Sequence, residues 1–174
     1  MLSLEKVLFV GVVLLYTTIS FAEQPAFVKE FLGQMDYVEG RLTQLSEAMP
    51  EESYIWTPVE GVRSVGEVYI HVAQSNYYML SLVKGEKPDM SEGSSESDKK
   101  TAIAMMEKSF SVIKEEAAKF SEEDLNKEIE AFGMKFSVRN FMVTMIAHLH
   151  EHLGHSIAYA RMNGVTPPWS KSGE

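Results

Sequence analysis

SVRNFMVTMIAHLHEHLGHSIAYARMNG, residues 137 to 164, decides how the rest of the 174-residue chain is read. Phe141, Met145, Leu149, Leu153 and Ile157 recur every fourth position, the spacing of one face of an α-helix. The same stretch holds four of the five histidines. On a helix advancing roughly 100° per residue, His148, His152 and His155 fall within about 60° of one another, whereas His150 points to the other side as a solvated surface residue. The three imidazoles border the apolar arc, at an edge that can be dry and still reachable. Histidines four apart on one helix face can share a metal ion through neutral ring nitrogens. Two ligands rarely suffice, so a third is sought elsewhere in the chain.

Upstream, PAFVKEFLGQMDYVEGRLTQLSEA (25 to 48) has Phe27, Phe31, Leu32, Met35, Val38, Leu42 and Leu45 at helical spacing and forms helix one. Met49-Pro50 closes it, and EESYIWTPVEGV is a loop in which Pro58 and Gly61 interrupt any helix. Ser64 with Glu67 three residues later is a capping box, so helix two starts near Val65 and runs to Val83 ahead of Gly85. It carries the fifth histidine, His71, which shares its side of the helix with Val68, Ser75, Tyr78 and Leu82. EKPDMSEGSSESD is then a polar connection of about a dozen residues, long for a tight helical hairpin and long enough to cross a bundle end, leaving helices two and three parallel. Helix three spans about Asp98 to Lys119 with Ile103, Met106, Phe110, Ile113 and Ala117 inward, and Ser121–Asp124 can start one further turn. NKEIEAFGMKF reads as a brief hairpin or an extended link around Gly133. Helix four is the stretch quoted first; Asn163-Gly164 caps it and Pro167-Pro168-Trp169 forbids continuation. The class is all-α, a four-helix bundle.

Residues 1–22 stand apart. Lys6, an apolar run from Val7 to about Ile19, and Ser20-Phe21-Ala22 follow the pattern of a secretory signal, with cleavage expected after Ala22; an uncleaved N-terminal anchor is the alternative. The run is shorter than a bilayer span, so no stable membrane insertion is expected after cleavage, and the mature chain from residue 23 onward is one domain. There is no cysteine, hence no disulfide and no thiolate ligand. A formal net charge of −9 and the lack of a basic run interleaved with aromatics argue against nucleic acid as a partner. The eleven methionines, Met105, Met106, Met142 and Met145 among them, read as core filling.

Trp56 and Pro58, then Ser64, Glu67 and His71, then His148 and His152 followed by Tyr159, Arg161 and Gly164, together resemble the motif order of the DinB family over nearly the whole mature chain. The resemblance implies an up-down-down-up four-helix bundle, often a homodimer, with a metal triad at His71, His148 and His152. Members resembling this chain include metal-dependent transferases that add low-molecular-weight thiols to electrophiles, and others assigned as hydrolases. One departure is His155, where the family usually has Gln; it is a hydrogen-bonded neighbour of the triad, a bundle histidine or a fourth ligand. Glu67 could orient an imidazole, although its capping role is the simpler one, and Tyr78 and Tyr159 face the histidines and could line a pocket.

An imidazole triad suits zinc or nickel better than calcium or magnesium, which demand oxygen ligands. Three protein ligands leave a position open for a small-molecule substrate, as in catalytic rather than structural sites. Because each ligand must be neutral, binding is expected to fade below about pH 6.5. A non-catalytic, stress-associated metal- or ligand-binding module is the reading from a different functional class, since no serine nucleophile, phosphate loop or carboxylate pair is visible.

Overall fold

The computed structural model describes residues 23–86 and 97–170. The expected signal segment (1–22), most of the long polar connection (87–96) and residues 171–174 lie outside the described residues. The elements are α1 (Ala26–Ala48), α2 (Val65–Lys84), α3 (Lys99–Ala117), a one-turn α4 (Glu122–Asn126), the strands β1 (Glu128–Ala131) and β2 (Met134–Ser137), and α5 (Val138–Met162). α5 is the fourth long helix of the sequence reading.

The helix boundaries follow local chemistry. Ser64 accepts the Glu67 amide at 3.3 Å while the Glu67 carboxylate takes the Ser64 N–H at 2.7 Å, so two otherwise orphaned donors at the head of α2 are satisfied reciprocally. Gly85 ends α2 in the left-handed conformation (φ 69°). Ser137 caps α5 through the Asn140 amide, and Asp98 caps α3 through that of Thr101. One difference from the sequence reading and one choice it left open concern the connections. Residues Glu51–Ile55 form a 3₁₀ turn within the expected loop, pinned by the buried Tyr54 hydroxyl, which donates to the Ser46 carbonyl at 2.8 Å. The ambiguous segment is a hairpin in which Ala131 faces Met134 across Phe132-Gly133, both with positive φ (53° and 73°), the conformation of a tight turn matched to strand twist.

Helix directions can be read from side-chain pairs. Arg139 lies over Phe27 and His150 stacks on Tyr37, so numbers rise together and α1 and α5 are parallel. Lys99 donates to the carbonyls of Glu47 and Met49, whereas Lys114 bridges Asp36 and Glu39, so α3 runs against α1. Asn76 donates to Ser109 at 2.9 Å and Lys84 pairs with Glu116 at 3.2 Å, making α2 and α3 parallel. The result is an up-down-down-up bundle. That order needs a connection crossing the bundle end between α2 and α3, the place of the long polar stretch.

At the start of this parallel pair only glycine fits at position 66, because a Cβ there would meet the Ser97 carbonyl oxygen at 2.0 Å. The core is shared by all four long helices: Phe31, Met35 and Leu42 of α1, Val72 of α2, Met106 and Phe110 of α3, and Phe141, Met145 and Leu149 of α5 are at most 1% exposed. Each such side chain contributes about 1.5–3 kcal/mol of burial. Met35, Met106, Met142 and Met145 are core packing and Met105 is half-buried against it, but Met134 on the hairpin and Met162 at the end of α5 are exposed, so core filling does not hold for all the methionines.

Candidate metal centre

Because α2 and α5 are neighbours running in opposite directions, the first half of one meets the second half of the other, and His71 faces His148 and His152. One ring nitrogen from each lies within 4.8 Å of the other two. The ring centroids are 5.4 Å (His71–His148), 4.7 Å (His71–His152) and 4.5 Å (His148–His152) apart. The Nε2 atoms of His148 and His152 are 3.1 Å apart. Two nitrogens each about 2.0–2.1 Å from one ion would sit roughly 2.9–3.4 Å apart for angles between square and tetrahedral, so this pair already has ligand spacing. His152 is buried, and His71 and His148 are half-buried.

Electrostatics keep the three rings neutral. Burial, the Arg63 charge and His148 lower the His71 pKa to about 4. Burial, the neighbouring histidines and Arg63 lower that of His152 to about 3, and burial with Arg63 lowers that of His148 despite the opposing pull of Glu151. Desolvation disfavours the protonated form of each, which leaves lone pairs available for coordination. Among the described residues the buried Nδ1 atoms of His148 and His152 have no partner, and His71 pairs with Ser75 at 3.4 Å. A converging set of neutral imidazoles fits a transition ion well and calcium or magnesium poorly.

This electrostatic setting moves the sequence expectation for acid sensitivity. In the unfolded chain the imidazoles take up protons near pH 6.5, whereas in the fold His71 does so only near pH 4 and His152 near pH 3, with His148 also held below its ordinary value, so across that window the unfolded state binds more protons. The contribution of these histidines to the stability of the metal-free protein is therefore fully present above about pH 6.5 and is lost as the pH drops toward 4, which urea titrations across that window will register. Metal binding, by contrast, is expected to persist at about pH 5, where unperturbed imidazoles would be mostly protonated.

The other residues singled out in the sequence occupy distinct places. His155 is exposed and stacks on His152 with centroids 6.0 Å apart, outside the cluster of converging nitrogens. Tyr159 is buried, sets its ring edge-on to His155 at 4.5 Å and to Trp56 at 5.3 Å, and donates its hydroxyl to the Arg63 carbonyl at 3.2 Å. It thus fastens the loop before α2 to α5 beside the triad. Glu67 is engaged in the capping box. Tyr78 packs near Phe132 of the hairpin, at 6.4 Å. His150 is not freely solvated: it is half-buried against Tyr37, and its Nδ1 lies 3.0 Å from the Ile146 carbonyl, because α1 covers that side of α5. Sequence reasoning missed Arg63. The available signal was that it is the one basic residue between Pro50 and the Ser64 cap.

An up-down-down-up helical bundle with an open three-histidine cluster between its second and last long helices is a well-defined class. The profile of the DinB superfamily matches residues 34–156, and the chain belongs to that superfamily. Among solved structures, a DinB-like protein from Bacillus cereus aligns with a TM-score of 0.70 at 21% identity, over 80% of this chain and 95% of the other. A DinB-like protein from Bacillus subtilis aligns at 0.64 and 22%, over 79% and 93%. YfiT from Bacillus subtilis, described as a probable metal-dependent hydrolase with an unusual four-helix bundle topology, aligns at 0.64 and 14%, over 80% and 89%. At these identities the likeness is one of fold. No curated protein sequence matches the chain.

Proposed function

We propose that this protein is an exported metal-dependent enzyme that holds zinc or nickel on His71, His148 and His152 and acts on a small-molecule substrate by hydrolysis or by thiol transfer. The observation that carries this reading is the convergence of three neutral ring nitrogens within 4.8 Å, two of the three rings being only half-buried. Bound there, the ion would supply Lewis acidity and lower the pKa of a coordinated water or thiol. The chain supplies the rest. Three imidazoles orient the ion, Tyr159 holds the Arg63 loop against α5, and His155 stands exposed beside His152 where it can accept or deliver a proton. The description of YfiT as a probable metal-dependent hydrolase supports the hydrolytic branch.

A non-catalytic metal- or ligand-binding module is the second reading. It is favoured by the Nδ1 atoms of His148 and His152, which lack the carboxylate or carbonyl partners that usually tune catalytic imidazole ligands. Turnover by the zinc- and nickel-loaded protein, assayed with esters, amides, and thiol plus electrophile pairs, separates the two. Metal-dependent turnover of any class supports the enzyme; saturable metal binding with no turnover across the panel supports the module.

Export rests on the sequence of residues 1–22, and no helix among the described residues is long and apolar enough to cross a membrane. Intact-mass measurement of protein from the producing cell should give a chain starting at Glu23; a Met1 start in the cytosol would overturn export.

A further inference from the structure

We infer that the small molecule bound at this centre carries a carboxylate, taken up by the Arg63 guanidinium in the cleft beside the three histidines. The inference rests on the metal reading above and assigns its substrate class. The cleft measures about 530 Å³ and is lined by Gly61, Val62, Arg63, Glu67 and His155. The cleft adjoins the triad through its His155 wall, which stacks on His152 with centroids 6.0 Å apart, and the Arg63 charge is felt at all three imidazoles.

The chain is acidic, with 25 Asp and Glu against 16 Lys and Arg; among the described residues Arg63, Lys100 and Arg161 pair with no carboxylate, and of these only Arg63 lines the cleft beside His155. Lys29, Lys84, Lys114, Lys119, Lys127, Lys135 and Arg139 each pair with a carboxylate. Arg41 lies over aromatic rings instead. The Arg63 side chain is exposed and pairs with no carboxylate among the described residues. Its main chain, by contrast, is tightly placed. The Arg63 carbonyl accepts from Tyr159, the next residue caps α2, and the Val65 amide donates to the Trp56 carbonyl at 3.1 Å. A fixed backbone carrying an unpaired guanidinium in the cleft next to the triad suits a ligand with one end at the ion and an anionic end in that cleft. The fork of five donors matches a planar carboxylate. A phosphate dianion fits less well, because the Glu67 carboxylate lines the same cleft and repels the second charge.

The test uses the mature chain loaded with cobalt(II), with metal content measured first, and follows the sulfur-to-cobalt absorption of two thiol probes. These are 3-mercaptopropionate and its uncharged methyl ester. The wild type should bind the acid more tightly than the ester by roughly tenfold or more, the size of a charge-assisted contact. Arg63→Gln should bring that ratio close to one while cobalt stoichiometry and ester affinity stay as in the wild type, and Arg63→Lys should recover part of the preference. Equal affinities in a cobalt-loaded wild type, or an unchanged ratio in Arg63→Gln, would overturn the inference and leave the metal reading standing. Loss of cobalt from Arg63→Gln would overturn it too, by making the residue a structural part of the centre. A wild type that takes up no cobalt would overturn the metal reading itself, and the inference with it.

Discussion

His152→Ala and His71→Ala should each lower zinc or nickel affinity by more than about 100-fold, beyond the 10- to 100-fold typical of residues that only support a ligand. Removing either ring leaves two nitrogens to hold the ion. His152 carries the sharper expectation: it is the buried member, and its Nε2 is 3.1 Å from that of His148. His150→Ala should leave metal stoichiometry intact. It removes the stacking against Tyr37 and the hydrogen bond with the Ile146 carbonyl, so its cost should appear as a lower unfolding midpoint. Metal analysis of purified variants after incubation with zinc and nickel reads all three effects. A wild type that stays metal-free under those conditions would reduce the histidines to bundle packing.

Phe141→Ala should destabilise the fold by about 3–5 kcal/mol, a large share of the roughly 5–15 kcal/mol that holds a domain of this size. Phe141 is fully buried in the first turn of α5 and meets Phe136 edge-on at 5.4 Å and Phe132 at 5.9 Å, both from the hairpin. Its loss empties a core position and frees the hairpin from the helix that carries His148 and His152. Urea unfolding should show a lower midpoint with an unchanged slope; a midpoint shift worth less than about 1 kcal/mol would mean that neighbouring side chains collapse into the space. Metal affinity of the folded fraction should change far less than in the histidine variants, since Phe141 lies two helical turns from His148.

Much of the architecture was legible because it is written in local chemistry. The Ser64–Glu67 capping box, the αL glycine at 85 and the apolar periodicity of four segments each act within a few residues, so reading them needs no knowledge of the neighbours. The hairpin was ambiguous for the opposite reason. Its four-residue strands carry little pattern, and Phe132 adopts a positive φ that a phenylalanine seldom takes unless the surrounding packing enforces it. His150 was misplaced because helical geometry tells which side of α5 the ring is on, not that α1 covers that side.

At the site, sequence by itself determined that His148 and His152 share a helix face, since a separation of four residues does so on any α-helix. Helical periodicity put His71 on the inward side of α2, but only the family resemblance connected it to the pair. The tertiary structure decided the remainder. Running α2 against α5 brings His71 to the pair at a sequence separation no local rule spans, leaves His155 just outside the cluster, and sets Arg63 where its charge reaches all three rings. Proximity between helices and the dielectric around a ring are properties of the packed bundle, and a neutral imidazole well below pH 6.5 exists only once that packing has removed the surrounding water.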